Sequence, residues 1–71
     1  MRKYKFYLTD EYLTDDYFKW LTTLLKNLNG VTIIKEEASA IIVEVNEIAA
    51  SILCPMIEMD AIASRVDLFE Q

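Results

Sequence analysis

Histidine is missing from this 71-residue chain, and cysteine, glycine and proline occur once each. Without histidine, neither Cys54 nor any serine has the usual base that turns it into a nucleophile, and the common zinc patterns cannot form. A single cysteine closes no internal disulfide, so the domain has no covalent staple. Cys54 reads as a small buried side chain, and one free thiol fits a reducing, cytoplasmic compartment. One glycine is too few for a phosphate-cradling loop. Long apolar runs are also missing. None approaches the ~20 residues that span a bilayer, so no membrane contact is expected. Met1-Arg2-Lys3 leads into Tyr4-Lys5-Phe6 and not an apolar stretch, so no signal peptide is expected.

Basic residues are scarce in one half. Residues 1–35 carry six bases and four acids, whereas residues 36–71 carry eight acids against Arg65 alone, within a net charge of −5. An acidic half repels phosphate backbones and excludes direct nucleic-acid binding as a leading function. It is able to attract a basic protein surface, although solubility alone also accounts for it. Apolar residues make up 54% of the chain, high for a single domain of this size. So small a fold has little interior, and some of them must reach the surface. That favours a protein partner or a homo-oligomer over a fully solvated monomer.

Thr14–Val31 is the organising stretch. Apolar residues recur at Tyr17, Phe18, Leu21, Leu24, Leu25 and Leu28, the spacing of one helix face. Thr9, Asp10 and Thr14 are all possible caps, and a first turn at Asp10–Leu13 is one alternative. Thr14 is preferred, because Asp15 and Asp16 then complement the helix dipole and Lys26 suits the far pole. Thr22 and Thr23 are expected away from the apolar stripe. Gly30 stands where a helix closes in a left-handed conformation. Before the helix, Lys3–Leu8 alternates as a strand, at an edge or in the centre. After it, Val31–Glu36 and Ala40–Val45 are β-branched runs joined by Glu37-Ala38-Ser39, a hairpin of open turn type. Asn46 caps a second helix, Glu47–Leu53. Pro55 either ends it or opens a further turn over Met56–Ala63. Arg65–Phe69 alternates as a final strand, with Val66 and Leu68 on one face.

This order predicts an α+β, ferredoxin-like βαββαβ sandwich: one domain over residues 1–71, an antiparallel sheet with two helices on one face. Within that class, Leu24-Leu25-Lys26-Asn27-Leu28-Asn29-Gly30-Val31, followed by a hairpin ending Ile42-Val43-Glu44-Val45-Asn46, resembles heavy-metal-associated domains of the copper-chaperone type. Their helix typically closes on Leu-x-Gly-Val, as Leu28-Asn29-Gly30-Val31 does here, and the likeness covers roughly residues 3–48. The resemblance implies a metal-binding Cys-x-x-Cys before the helix. Thr14 and Tyr17 hold those places, with Asp15 and Asp16 between, so soft-metal carriage does not carry over.

Asp10, Glu11, Asp15 and Asp16 invite a hard-cation site, but their spacing is not that of a calcium loop, and helix-start acids explain two of them. Aromatics crowd the first twenty residues, interleaved with Arg2, Lys3 and Lys5. A stacking surface for single-stranded nucleic acid is weighed against four nearby acids and set aside. Core packing accounts for Tyr4, Phe6, Phe18 and Tyr17. Trp20, beside the stripe, and Tyr7 are better candidates for anchoring a partner. The alternation also places Ile42 and either Ile33 or Ile34 on the uncovered sheet face, open to solvent near Tyr7. The expected interface is therefore Tyr7, Trp20, Ile34, Ile42 and Glu44, or the acidic second half. The function expected is a non-catalytic, acidic protein-binding module with no cofactor, acting by contact. An inhibitor or decoy of a nucleic-acid-binding machine, of the kind phages encode, fits the size and charge. The alternatives are a diverged small-ligand or metal-binding domain and a self-assembling subunit.

Overall fold

Strict alternation makes β1, Arg2–Leu8, a two-faced strand, and β-branched side chains make β2, Val31–Glu36, and β3, Ala40–Val45. A computed structural model, which describes residues 1–59 and 62–68, adds β4, Ala63–Leu68, to complete one sheet. Its order is β2-β3-β1-β4, and every neighbouring pair is antiparallel. With the helices that link β1 to β2 and β3 to β4, this is the ferredoxin-like βαββαβ fold. Part of the predicted turn over Met56–Ala63, at Asp60 and Ala61, and the strand end at Phe69 lie outside the described residues.

The chain leaves β1 through a single tight turn, Asp10–Leu13, and enters α1, Asp15–Asn27. Both of the starts read from the sequence are thus used, as separate elements. Thr14 is the residue before α1, and its carbonyl accepts from the Phe18 amide at 2.9 Å. Its side chain makes no capping bond. Leu21 and Leu25 are fully buried, with Phe18 and Leu28 packed against the same core. Two expectations need correction here. Thr22 is buried, not turned away; its hydroxyl donates to the Lys19 carbonyl at 3.0 Å and so enters the core edge without an unpaired polar atom. Tyr17 is 46% exposed and no core residue, because it lies toward the flank of the stripe where Tyr12 meets it.

α1 ends at Asn27 with Leu28 extended, so Gly30 does not close the helix itself as expected. It takes φ 82°, the left-handed conformation that a Cβ disfavours, in the turn that follows, where the Val31 amide donates to the Leu28 carbonyl at 3.4 Å. The Gly30 carbonyl accepts from the Asn46 amide at 3.1 Å. Asn46 in turn caps α2, Glu47–Met59, by accepting the Ala49 amide on its side-chain oxygen at 2.7 Å. The turn that follows α1 and the start of α2 are therefore joined through two residues.

α2 runs through Pro55 without ending at Leu53, which resolves the alternatives left by the sequence. Proline has no backbone donor, so the bond that an amide at position 55 would give the Ser51 carbonyl is not made. The helix continues because Pro55 is on its exposed side, while Leu53 and Ile57, one turn apart, anchor the opposite side in the core. Phe6, Leu8, Ile41, Val43 and Val45 from one sheet face meet Leu21, Leu25, Ala49, Leu53 and Ile57 from the helices. Both helices thus lie on one side of the sheet.

Candidate protein-binding surface

The other sheet face carries Lys5, Tyr7, Lys35, Ala40, Ile42, Glu44, Arg65 and Asp67, by the strand register. No helix covers it. It is laced by charge all the same: Lys5 Nζ lies 2.9 Å from Glu37, with Lys35 at 3.9 Å, and Arg65 pairs with Asp67 at 2.7 Å. The Lys5 hydrogen bond holds the Glu37 carboxyl below its ordinary range, and Glu37 holds the Lys5 ammonium above its own. The Tyr7 ring carries Lys5 Nζ 5.0 Å from its centroid and the Arg65 guanidinium at 4.4 Å.

This lacing overturns the expected exposure of Ile42, which is only 5% accessible. Its cross-strand neighbours are Lys5 and Lys35, and both ammonium groups reach for Glu37. Their alkyl stems flank Ile42, so long charged side chains do the covering that a helix does on the other face. Alternation predicts which face a residue takes, not how far its neighbours reach over it. Ile34 is open, as one of the two isoleucines had to be, at 48% exposed. It is the extra residue of a bulge, where the β2–β3 register slips between Ile33 and Lys35. Ile33 packs into the core. Tyr7 and Glu44 are half-buried.

Trp20 is different. It projects from α1, on the helix side of the sheet, and is 51% exposed. The turn at Asp10–Leu13 brings the Tyr12 ring 6.4 Å from Trp20 and 5.2 Å from Tyr17, with the planes tilted. Asp16, one helical turn before Trp20, joins these rings to line an open depression of about 590 Å³. Three aromatic rings and one carboxylate form a surface for a cation: ring faces attract an ammonium or guanidinium, and Asp16 is placed for a charge-assisted hydrogen bond. Cys54 is half-buried on α2, where burial and then the Glu58 charge push its thiol above the ordinary value of 9.0, away from thiolate reactivity. Among the described residues, no three acidic or thiol side chains converge to hold a metal ion, and no helix is long and apolar enough to cross a membrane.

The five residues predicted as an interface therefore do not form one surface. Tyr7, Ile42 and Glu44 share the laced sheet face, Ile34 stands at the bulge, and Trp20 sits on the helix layer. Asp16 and Tyr17 were available as its companions from spacing, at four and three residues before it. Tyr12 was not, because nothing local announces that the tight turn folds back onto α1. The apolar residues Ile48, Ile52 and Met59 of α2, at 75%, 64% and 85% exposed, were also missed. Their spacing of four and seven shows as a stripe only once the helix is drawn through Pro55. Comparison with protein-family models, curated proteins and solved structures finds no match to this chain.

Proposed function

We propose that this chain is a non-catalytic, acidic protein-binding module that works by contact, with Trp20 at the centre of one contact surface. The observation that carries the reading is the half-exposed Trp20 set among Tyr12, Tyr17 and Asp16. Tryptophan and tyrosine dominate the binding energy of protein interfaces, and a tryptophan with no place in its own core is poised to enter another. The carboxylate selects a basic partner, and so does the charge of residues 36–71, eight acids against one base. A protein whose own task is to hold nucleic acid offers such a surface, so an inhibitor or decoy of that machinery is the use that fits the charge. The partner is another protein or a second copy of the chain. The likeness to heavy-metal-associated domains enters only as a fold put to another use, since Thr14 and Tyr17 stand where two thiolates are needed.

Trp20→Ala tests the reading. It removes an exposed ring, so the fold should lose no more than about 1 kcal/mol, while affinity for the partner should fall by roughly 2 kcal/mol or more, about thirtyfold. Binding that is unchanged in a folded Trp20→Ala variant sinks the assignment.

A further inference from the structure

A second surface lies on α2. Ile48, Ile52, Pro55 and Met59 fall within one narrow sector of the helix, opposite Leu53 and Ile57, which are in the core. The stripe runs about 16 Å along the helix from Ile48 to Met59, eleven steps at ~1.5 Å each. Beside it, Leu28, Val31, Ala49, Leu53 and Met56 line an apolar socket of about 70 Å³, to which Ile52 also contributes. The only charges on α2 are Glu47 and Glu58, one near each end of the stripe and both on the same flank.

We infer that this stripe docks a basic amphipathic helix of a partner protein, its apolar face on Ile48, Ile52 and Met59 and its lysines or arginines against Glu47 and Glu58. The charges decide the occupant. In a second copy packed antiparallel on the same stripe, Glu47 of each α2 comes near Glu58 of the other, and like charges repel. An anionic lipid surface is disfavoured for the same reason, because α2 has no lysine or arginine to meet it. A helix with leucines at the helical repeat and bases along its flanks meets every feature: an apolar stripe, a socket for one side chain and two carboxylates. The inference shares the protein-binding reading above but rests on a different surface, so the two fail separately.

The test uses two synthetic helices with the same leucines at i, i+3, i+4 and i+7, one with lysine flanks and one with glutamate flanks. Each is titrated into the full chain while backbone amide shifts are followed by NMR. The lysine helix should perturb residues 47–59, bind at least roughly tenfold more tightly than the glutamate helix, and weaken as salt is raised. Ile52→Glu should reduce its affinity roughly tenfold or more, and Trp20→Ala should leave it unchanged. If Ile52→Glu fails to fold by circular dichroism, Ile48→Ser, at a residue more exposed than Ile52, takes its place. Equal binding of both helices, shifts confined to Tyr12, Asp16, Tyr17 and Trp20, or no binding by a folded chain each overturns the inference. So does a dimer in sedimentation that Ile52→Glu dissolves, since the occupant is then a second copy. In all of these cases the Trp20 reading keeps its own test.

Discussion

Gly30→Ala should destabilise the fold far more than one added methyl group implies. Two effects combine. At φ 82° an alanine enters the left-handed region, at about 1–2 kcal/mol. Its Cβ would also fall on the Asn46 side chain, 2.8 Å from Cγ and closer still to the amide nitrogen. Asn46 cannot yield freely, because its side-chain oxygen holds the Ala49 amide at 2.7 Å and its own amide donates to Gly30 at 3.1 Å. Displacing it uncaps α2, worth about 1 kcal/mol. The total is about 2–3 kcal/mol, against the roughly 4–10 kcal/mol that a domain of this length has in all. Urea denaturation followed by helical circular dichroism reads the change. With a slope near 1 kcal/mol per molar, the midpoint should fall by about 2–3 M. A double-mutant cycle separates the two parts. Asn46→Ala alone should cost about 1 kcal/mol, and in that background Gly30→Ala should cost about 1 kcal/mol less than it does alone. Strictly additive costs, or a Gly30→Ala loss under about 0.5 kcal/mol, would show that the turn after α1 and the start of α2 are not coupled here.

Four more outcomes follow. Ile42→Ala should destabilise by about 2–3 kcal/mol because its site is sealed, whereas Ile34→Ala at the open bulge should stay within about 1 kcal/mol; equal losses in urea melts would mean that the lysine stems do not cover Ile42. Pro55→Ala restores a donor to the Ser51 carbonyl and should raise stability by about 1–2 kcal/mol in the same melts, and a loss would mean that the proline is better accommodated than its missing bond indicates. The Lys5–Glu37 pair stabilises the native state above the ordinary glutamate value of 4.5, and that part is lost as pH falls through the lowered value of Glu37. At the other end it is present below the ordinary lysine value of 10.5 and lost as pH rises through the raised value of Lys5. Glu37→Gln should flatten both limbs of the stability–pH curve, and an unchanged acid limb would place the titration elsewhere. Alkylation of Cys54 at neutral pH should be slower in the folded chain than in urea, and Glu58→Gln should speed it modestly; equal folded and unfolded rates would contradict a raised thiol.

The hairpin was legible to the residue, because β-branched runs at Val31–Glu36 and Ala40–Val45 have no competing period. Gly30 was legible as a left-handed residue, although it sits in the turn after Leu28 and not at the helix end, and Asn46 was legible as a helix cap. From these, the order of elements and the ferredoxin-like topology followed. What escaped depends on reach and on side. Ile42 alternates outward yet is buried, since covering by lysine stems is a property of three strands and not of one. Pro55 marks a break in an isolated helix, but Leu53 and Ile57 hold both turns to the core. Thr22 looks polar in a helical projection, although its hydroxyl is satisfied within its own turn. The aromatic depression was half legible: Trp20 stood apart from the stripe, but Tyr12 reaches it through a turn that no local pattern announces.

Footprinting of the chain bound to its partner bears most directly on the reading as a contact module. The complex is captured from the native host, isolated at a defined stoichiometry and exposed to hydroxyl radicals beside the free chain. Trp20 and Tyr17, each about half exposed alone, should be protected in the complex, while Tyr7 beneath its cations reacts alike in both. A complex in which Trp20 and Tyr17 react as they do in the free chain, or a host that yields no stoichiometric partner, contradicts it.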